Sequence, residues 1–539
     1  MTSFNFKLVQ TDEISKIISN FPNKSSAGHD GISLKVLKWI SPAIIKPITM
    51  IINQSLLTGI FPDALKIAKV LPLYKKNEDD IMDNYRPISL LVSFSKIFEK
   101  VAFKQLYTYF KENNLFFYSQ YGFLPDHSTE LACMELVDKI YKDLDSKRMP
   151  LSIFMDLSKA FDTLDHSILK YKLKHYGVKG NTLNWFSSYL ENRMQYVEIN
   201  DFRSSMQTIT TGVPQGSILG PLLFLIYMND IPKSSNLFSF VVYADDTTLY
   251  TSLNFSDACM SVRDTSDMIT SELNNVQEWL CVNKLSLNVN KTKYMVYSYP
   301  GKSTPNFDIK ILDSNLCKVD DFNFLGIRVD KNLSWHSHID YIACKIARNC
   351  GVLNRIKRLL PSHLLRTLYF SMINPHLLYG ILVWGFDNGR LFKLQKRAIR
   401  IINKAEYNAH TEPLFKSSKI LKIADMFSLS CLKFLYKYFK GNLPAHCNNL
   451  TLVEQAGIHT YDTRLNQRFR INITRTQRAQ NSIRNYLPKF ANSLPNCIYD
   501  KLFTHSLQGL SNYTKHHYIA EYTSVCRDYH CFVCHGTRQ

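Results

Sequence analysis

Two acidic side chains, Asp245 and Asp246, interrupt the run Phe240-Val241-Val242-Tyr243-Ala244-Asp245-Asp246-Thr247-Thr248-Leu249-Tyr250. The β-branched and aromatic residues around them favour extended backbone, so the stretch reads as a β-hairpin with the carboxylates at its tip. Adjacent carboxylates repel and raise each other's pKa unless donors, water or a cation neutralise them. A divalent metal does so most directly. The ordinary alternative for an Asp-Asp turn is a solvated loop tip. Upstream, Leu151-Ser152-Ile153-Phe154-Met155-Asp156 reads as a second apolar strand ending in a carboxylate, which makes a three-carboxylate site possible.

Three motifs fall in order along the chain: Phe154-Met155-Asp156-Leu157-Ser158-Lys159-Ala160-Phe161-Asp162, then Gly212-Val213-Pro214-Gln215-Gly216-Ser217, then Tyr243-Ala244-Asp245-Asp246. Together they resemble the reverse transcriptases of non-LTR (LINE-type) retrotransposons, of the jockey or CR1 kind. The resemblance runs from about residue 24 to 340, weakens to about 440, and says nothing beyond. It implies an α+β right-hand polymerase followed by a mostly helical, basic C-terminal region. Residues 1–150 would be an N-terminal extension and fingers, 151–330 a palm with an antiparallel sheet, 331–440 a thumb with basic helices, and 441–539 a region of unknown role.

The function so implied is RNA-directed DNA polymerisation from a DNA primer with dNTPs. Attack of a 3′-hydroxyl on an α-phosphate calls for two Mg²⁺ ions about 3.5 to 4 Å apart, and carboxylates from separate elements can bridge them. Asp156, Asp245 and Asp246 are the expected catalytic residues and metal ligands. Arg86 and Lys75, on a hairpin formed by residues 67–76 and 84–91, are expected to reach the triphosphate. Phe161 would exclude a ribonucleotide 2′-hydroxyl or else pack in the core. Gln215 and Gly216 would let backbone approach a nucleobase or primer closely. Lys291 would bind or protonate pyrophosphate.

Phe324, Leu325 and Gly326 resemble the primer grip. Lys345, Arg348, Arg355, Lys357 and Arg358, on a helix over 338–360, would track the duplex backbone. The family pattern Gly-Phe-Arg-Pro-Gly-His-Ser-Thr is altered here, with Leu124 for the Arg and Asp126 for the Gly. A lost cation and a gained anion should weaken a template phosphate contact. Two rival readings are a catalytically inactive nucleic-acid-binding remnant of a truncated element and a group II intron type maturase. No endonuclease or RNase H signature is visible.

Charge separates the halves. Residues 1–340 hold 36 basic and 36 acidic side chains and residues 341–539 hold 29 and 9, so the whole net charge of +20 lies in the last third. Such a surplus attracts RNA or DNA through counterion release. Helices are predicted over 13–19, 34–57, 94–113, 130–144, 258–279, 391–405 and 427–440, and basic residues recur over 464–484. The longest apolar run, Pro221–Met228, is far short of the ~20 residues of a membrane span, and no signal peptide is visible. No membrane partner is expected, and an intracellular, nuclear or cytoplasmic setting is. Cys133, Cys281 and Cys431 read as buried thiols in a reducing compartment. Near the end Cys526, His530, Cys531, Cys534 and His535 crowd together as a weak candidate Zn²⁺ site.

Overall fold

The structure, a computed structural model, describes residues 3–76, 78–200, 202–254, 261–312, 314–386, 388–444, 447, 452–454 and 468–523. The first helices are α1 (Thr11–Asn20) and α2 (Leu34–Thr58). Ser33 caps α2 by accepting from the Val36 N–H, and Gly59 ends it in the left-handed conformation at φ 73°. By length and composition α2 could cross a membrane, contrary to the expectation that no stretch could. One side of it, Leu34, Leu37, Ile48, Ile52 and Leu56, packs into the core with α1 and with the later helices Ser93–Glu112 and Gly180–Leu190.

Strands β1 (Ile67–Tyr74) and β2 (Tyr85–Leu91) form the expected antiparallel hairpin, with Leu73 opposite Arg86. Helix α3 (Ser93–Glu112) and helix α4 (Thr129–Asp145) follow. Strand β3 (Met149–Met155) leads to α5 (His166–His175) and α6 (Gly180–Leu190). Next come β4 (Arg193–Ile199), β5 (Phe202–Arg203), β6 (Gln207–Ile209) and α7 (Gly220–Met228). β4 joins β1 in parallel and β6 antiparallel, which extends the hairpin into a second sheet.

The sheet that organises the site has the order β12-β9-β3-β8-β7. Its members are β3, β7 (Ser239–Tyr243), β8 (Asp246–Leu253), β9 (Lys293–Val296) and β12 (Cys317–Lys318). Helix α8 (Val262–Val282) starts on a Ser261/Asp264 capping box and precedes β9. The pairs β10 (Lys310–Ile311) with β11 (Ser314–Asn315), and β13 (Asp321–Phe324) with β14 (Ile327–Asp330), complete this part.

Side chains alternate across a strand, and both faces of this sheet are covered. Leu151, Ile153 and Met155 of β3 enter one core with α1–α3 and α5–α7, whereas Phe154 enters a second core with α4 and the later helices. The same alternation sends Leu249, Tyr294 and Val242 one way and Tyr250, Met295 and Val241 the other. A two-sided core explains why these strands read as nearly continuous apolar runs.

The second core is roofed by α9 (His336–Ile356), α10 (Ser362–Met372), α11 (Asn374–Leu378), α12 (Ile381–Trp384), α13 (Gly389–Ile402), α14 (Glu412–Ser418), α15 (Ile423–Phe439) and α16 (Ile483–Ser493). Mixed antiparallel-rich sheets and abundant helix agree with the expected α+β class. One expectation needs correction. Cys281 is exposed, unlike Cys133 and Cys431, because it lies on the outward side of α8. Among the basic residues of 464–484, Arg475 donates to the Leu144 and Asp145 carbonyls, Arg484 pairs with Asp138 at 3.0 Å, and Arg478 donates to the Asn332 carbonyl. These guanidinium groups fasten the C-terminal segment to α4 and to the loop after β14.

Candidate active site

The last pair of the β3–β8 ladder is Met155 with Thr247, and the last of β7–β8 is Tyr243 with Asp246. Asp156, one residue beyond Met155, therefore stands at the same sheet end as Asp245 and Asp246. The hairpin loop is only Ala244-Asp245, and Ala244 takes φ 57°. Positive φ at the first of two loop positions is the pattern of a type II′ turn, which normally recruits glycine. Asp156 and Asp245 are half-buried and Asp246 is exposed at the tip.

Loss of solvent raises the Asp245 pKa, the Asp156 charge raises it further, and the Lys75 and Arg86 charges partly offset this. The Asp246 carboxyl is pushed up to about 6 by desolvation first, then by Asp245 and Asp156, with Lys75 opposing. The three carboxylates thus feel one another, and the β1–β2 hairpin brings both expected cations within electrostatic reach. Lys75 and Arg86 are themselves exposed. On the far side Lys291, just before β9, is ion-paired with Asp156 at 3.1 Å. Asp156 is also held by backbone, its carbonyl accepting from the Asn288 N–H at 2.8 Å. Among the described residues no three His, Cys, Asp or Glu side chains are gathered into a ready-made metal cluster.

A loop and a buried carboxylate form the floor beside the aspartates. Phe161 stacks on Phe224 of α7 with ring centroids 4.3 Å apart and meets Phe123 edge-on, so the core packing weighed for it is present in the half-buried ring. Gln215 donates to both carboxylate oxygens of Asp162, at 2.9 and 3.0 Å. Burial raises the Asp162 pKa against that hydrogen bonding and the Lys159 charge. Gly216 has φ 129°, and a Cβ there would lie 2.5 Å from the Ser89 carbonyl oxygen of β2. A close approach of neighbouring protein backbone therefore already calls for glycine here. Beneath the loop, Glu99 of α3 accepts from the Ile218 N–H at 2.5 Å and the Leu219 N–H at 3.3 Å, capping the entry to α7.

Residues 74–329 match the family described as "Reverse transcriptase (RNA-dependent DNA polymerase)". This stretch is therefore similar to a reverse transcriptase domain. Over 448 residues the chain is 28% identical to the probable RNA-directed DNA polymerase from transposon BS of Drosophila melanogaster, covering 79% of this chain and 48% of the relative. It is 26% identical over 466 residues to the RNA-directed DNA polymerase from mobile element jockey of the same organism, covering 83% and 49%. The probable RNA-directed DNA polymerase from transposon X-element, also of that organism, is 26% identical over 434 residues, covering 77% and 46%. These relatives are non-LTR retrotransposon proteins, as the motifs imply, and the chain spans about half their length.

Within this reverse-transcriptase-like domain, Phe324 is buried against Phe154, and Leu325 and Gly326 form the β13–β14 turn at φ 47° and 84°. Tyr379 donates to the Leu325 carbonyl at 2.5 Å. Beyond the domain, α9 buries Ile339, Ile342, Ile346, Cys350 and Leu353 and turns Arg348 and Arg355 outward, with Arg358 exposed just past its end. Lys345 lies 4.2 Å over the Tyr341 ring, and Lys357 is half-buried. The departures at 124 and 126 have local reasons. Leu124 is buried, and Asp126 sits at φ 64°, which glycine adopts freely and Asp tolerates better than most residues. Asp162 and Gln120 are absent from the sequence-based site, although Asp162 closes the motif that begins at Phe154 and Gln120 lies two residues before the altered Gly-Phe pattern at Gly122. The Cys526–His535 cluster lies outside the described residues.

Proposed function

We propose that this chain is an RNA-directed DNA polymerase that extends a DNA primer on an RNA template with dNTPs. One observation carries the reading: Asp156 and the Asp245-Asp246 turn occupy one sheet end of the reverse-transcriptase-like domain, where burial first and neighbouring carboxylates second raise the Asp245 and Asp246 pKa values and two cations stand on the facing hairpin. In this reading residues 1–150 supply an extension and the fingers, 151–330 the palm, 331–440 the thumb, and 441–539 a buttress behind α4.

Reverse transcriptases use a divalent metal such as Mg²⁺. The residues present fit it by chemistry. All three donors are carboxylates, which suit a hard cation, and the raised pKa values of Asp245 and Asp246 mark negative charge in want of a counter-ion. Held by Asp156, Asp245 and Asp246, two Mg²⁺ ions would supply activation of the primer hydroxyl and neutralisation of the leaving pyrophosphate.

The chain's own residues do the rest. Arg86 offers a bidentate fork to the triphosphate, and Lys75 adds a point charge. The Phe161 ring, braced by Phe224, limits the space at the sugar. Gln215 and Gly216, fixed by Asp162 and Ser89, shape the nucleotide floor. Lys291 can pass from Asp156 to pyrophosphate as charge leaves. The 324–326 turn grips the primer, and Lys345, Arg348, Arg355, Lys357 and Arg358 hold duplex phosphates. The test is primer extension on an RNA template with dNTPs and Mg²⁺. Product is expected from wild type and almost none from Asp245→Ala. Protein that binds primer-template yet never extends it across salt and metal conditions would favour the inactive remnant.

A further inference from the structure

The Asp245-Asp246 turn is built on a conformation that its own sequence disfavours. Ala244 occupies the left-handed region at φ 57°, where a side chain is strained, and such a residue persists only when its surroundings over-determine it. The surroundings here come from one segment, residues 119–122, far away in sequence. Tyr121 donates its N–H to the Val242 carbonyl at 2.7 Å, and Val242 donates back to the Ser119 carbonyl at 3.0 Å. The segment thereby adds to the edge of β7, with Gln120 bridged in parallel to Val242.

At the end of this short ladder the Gln120 side chain, only 4% exposed, takes over from the backbone. Its Oε1 accepts from the Ala244 N–H at 3.2 Å and from the Gly122 N–H at 2.8 Å. Both neighbours are donors, so the side-chain atom facing them has to be the carbonyl oxygen rather than the amide nitrogen. Gly122 closes the other side, since a Cβ there would lie 2.3 Å from the Ala244 nitrogen. Glu135 of α4 fixes the segment in turn, accepting from Ser119 Oγ at 2.8 Å and from the Tyr121 hydroxyl while pairing with Lys139 at 2.8 Å.

We propose that Gln120 is a positioning residue for the carboxylate turn: its buried amide oxygen holds Ala244 in the left-handed conformation and so sets the directions of Asp245 and Asp246 toward a divalent cation. This rests on the reading of those aspartates as metal ligands. Gln120 touches neither substrate nor metal. Its effect reaches the chemistry through the backbone of the residue before Asp245.

Mn²⁺ binding by the full-length chain, followed by the electron paramagnetic resonance of free Mn²⁺, separates this role from simple folding. Gln120→Met keeps the volume and removes the acceptor, leaving two N–H groups unpaired. One net hydrogen bond lost at the turn should weaken Mn²⁺ binding about fivefold. In primer extension the Mg²⁺ concentration for half-maximal rate should rise by about the same factor, with the dNTP KM unchanged. Gln120→Glu, which retains an oxygen acceptor, should bind Mn²⁺ at least as tightly as wild type. If the Met variant does not fold, Gln120→Asn, whose oxygen falls one methylene short, should give the same weakening.

Binding that Asp245→Ala abolishes but Gln120→Met or Gln120→Asn leaves unchanged would overturn the role of Gln120 alone. Wild-type binding that Asp245→Ala does not touch would instead overturn the metal-ligand reading and this proposal with it.

Discussion

Replacing Glu99 with Gln removes one negative charge from the interior and should loosen the floor of the site without touching it. Glu99 is fully buried in α3 and accepts from the Ile218 and Leu219 N–H groups and from Ser95 Oγ at 2.9 Å. Burial raises its pKa, and the strongest opposing influence is the charge of Arg193. Arg193 is 1% exposed, donates to the Tyr189 carbonyl, and leaves Nε and Nη2 without partners. Hydrogen bonds to a charged acceptor exceed neutral ones by roughly 1 kcal/mol each, and an uncompensated buried guanidinium adds to the loss. The expected total is about 3 kcal/mol, which at ~1.4 kcal/mol per tenfold corresponds to roughly 100-fold faster amide exchange. Because a chain of this size need not unfold in one step, the assay is local: hydrogen–deuterium exchange of the peptide 213–228. Arg193→Met added to Glu99→Gln should restore much of the protection, since the pair is then gone together. Wild-type exchange in Glu99→Gln, or purely additive effects in the double variant, would refute the reasoning.

Three further outcomes follow from other parts of the molecule. Gly216→Ala, forced to φ 129° against the Ser89 carbonyl, should cost about 2 kcal/mol, read as faster exchange in 213–219; unchanged protection there would show that the loop is not held against β2. The Asp246 pKa is raised from 3.8 to about 6, so its contribution to stability is full below pH 3.8 and lost as pH rises through 6. Metal-free protein should therefore be more stable at pH 5 than at pH 7 by about 1 kcal/mol from this group after discounting for its exposure, and Mg²⁺ or Asp246→Asn should narrow the gap in calorimetry. Alanine at Lys345, Arg348, Arg355 and Arg358 together should lower the salt slope of primer-template binding by about 3 in fluorescence anisotropy, and an unchanged slope would remove α9 from the interface.

Much of this arrangement is legible in the sequence because it depends on local patterning. β3 and β7–β8 are apolar runs that end in carboxylates, and a sheet covered on both faces needs such runs. Helix limits at Ser33, Gly59 and Ser128 follow from capping chemistry. What stayed hidden depends on partners distant in sequence. Nothing near Gly216 indicates that Ser89 lies against it, and nothing near Gln120 reveals Ala244, which is 124 residues away. Counting charge over 464–484 cannot tell an unpaired surface arginine from Arg484, which is ion-paired with Asp138 of α4 at 3.0 Å. Cys281 was misplaced because apolar neighbours in sequence do not define which side of α8 a residue faces.

The central claim is that Asp156, Asp245 and Asp246 act together on nucleotide addition, and single-turnover kinetics tests it most directly. One complementary dNTP is added to the full chain preloaded with an RNA template and DNA primer in Mg²⁺, and the rate is compared among wild type, Asp156→Ala, Asp245→Ala and Asp246→Ala. The account expects each variant to bind primer-template as wild type does and to add the nucleotide at least about 1,000-fold more slowly, the loss of several kcal/mol of transition-state stabilisation. Addition at the wild-type rate by any variant whose primer-template binding is intact would contradict it.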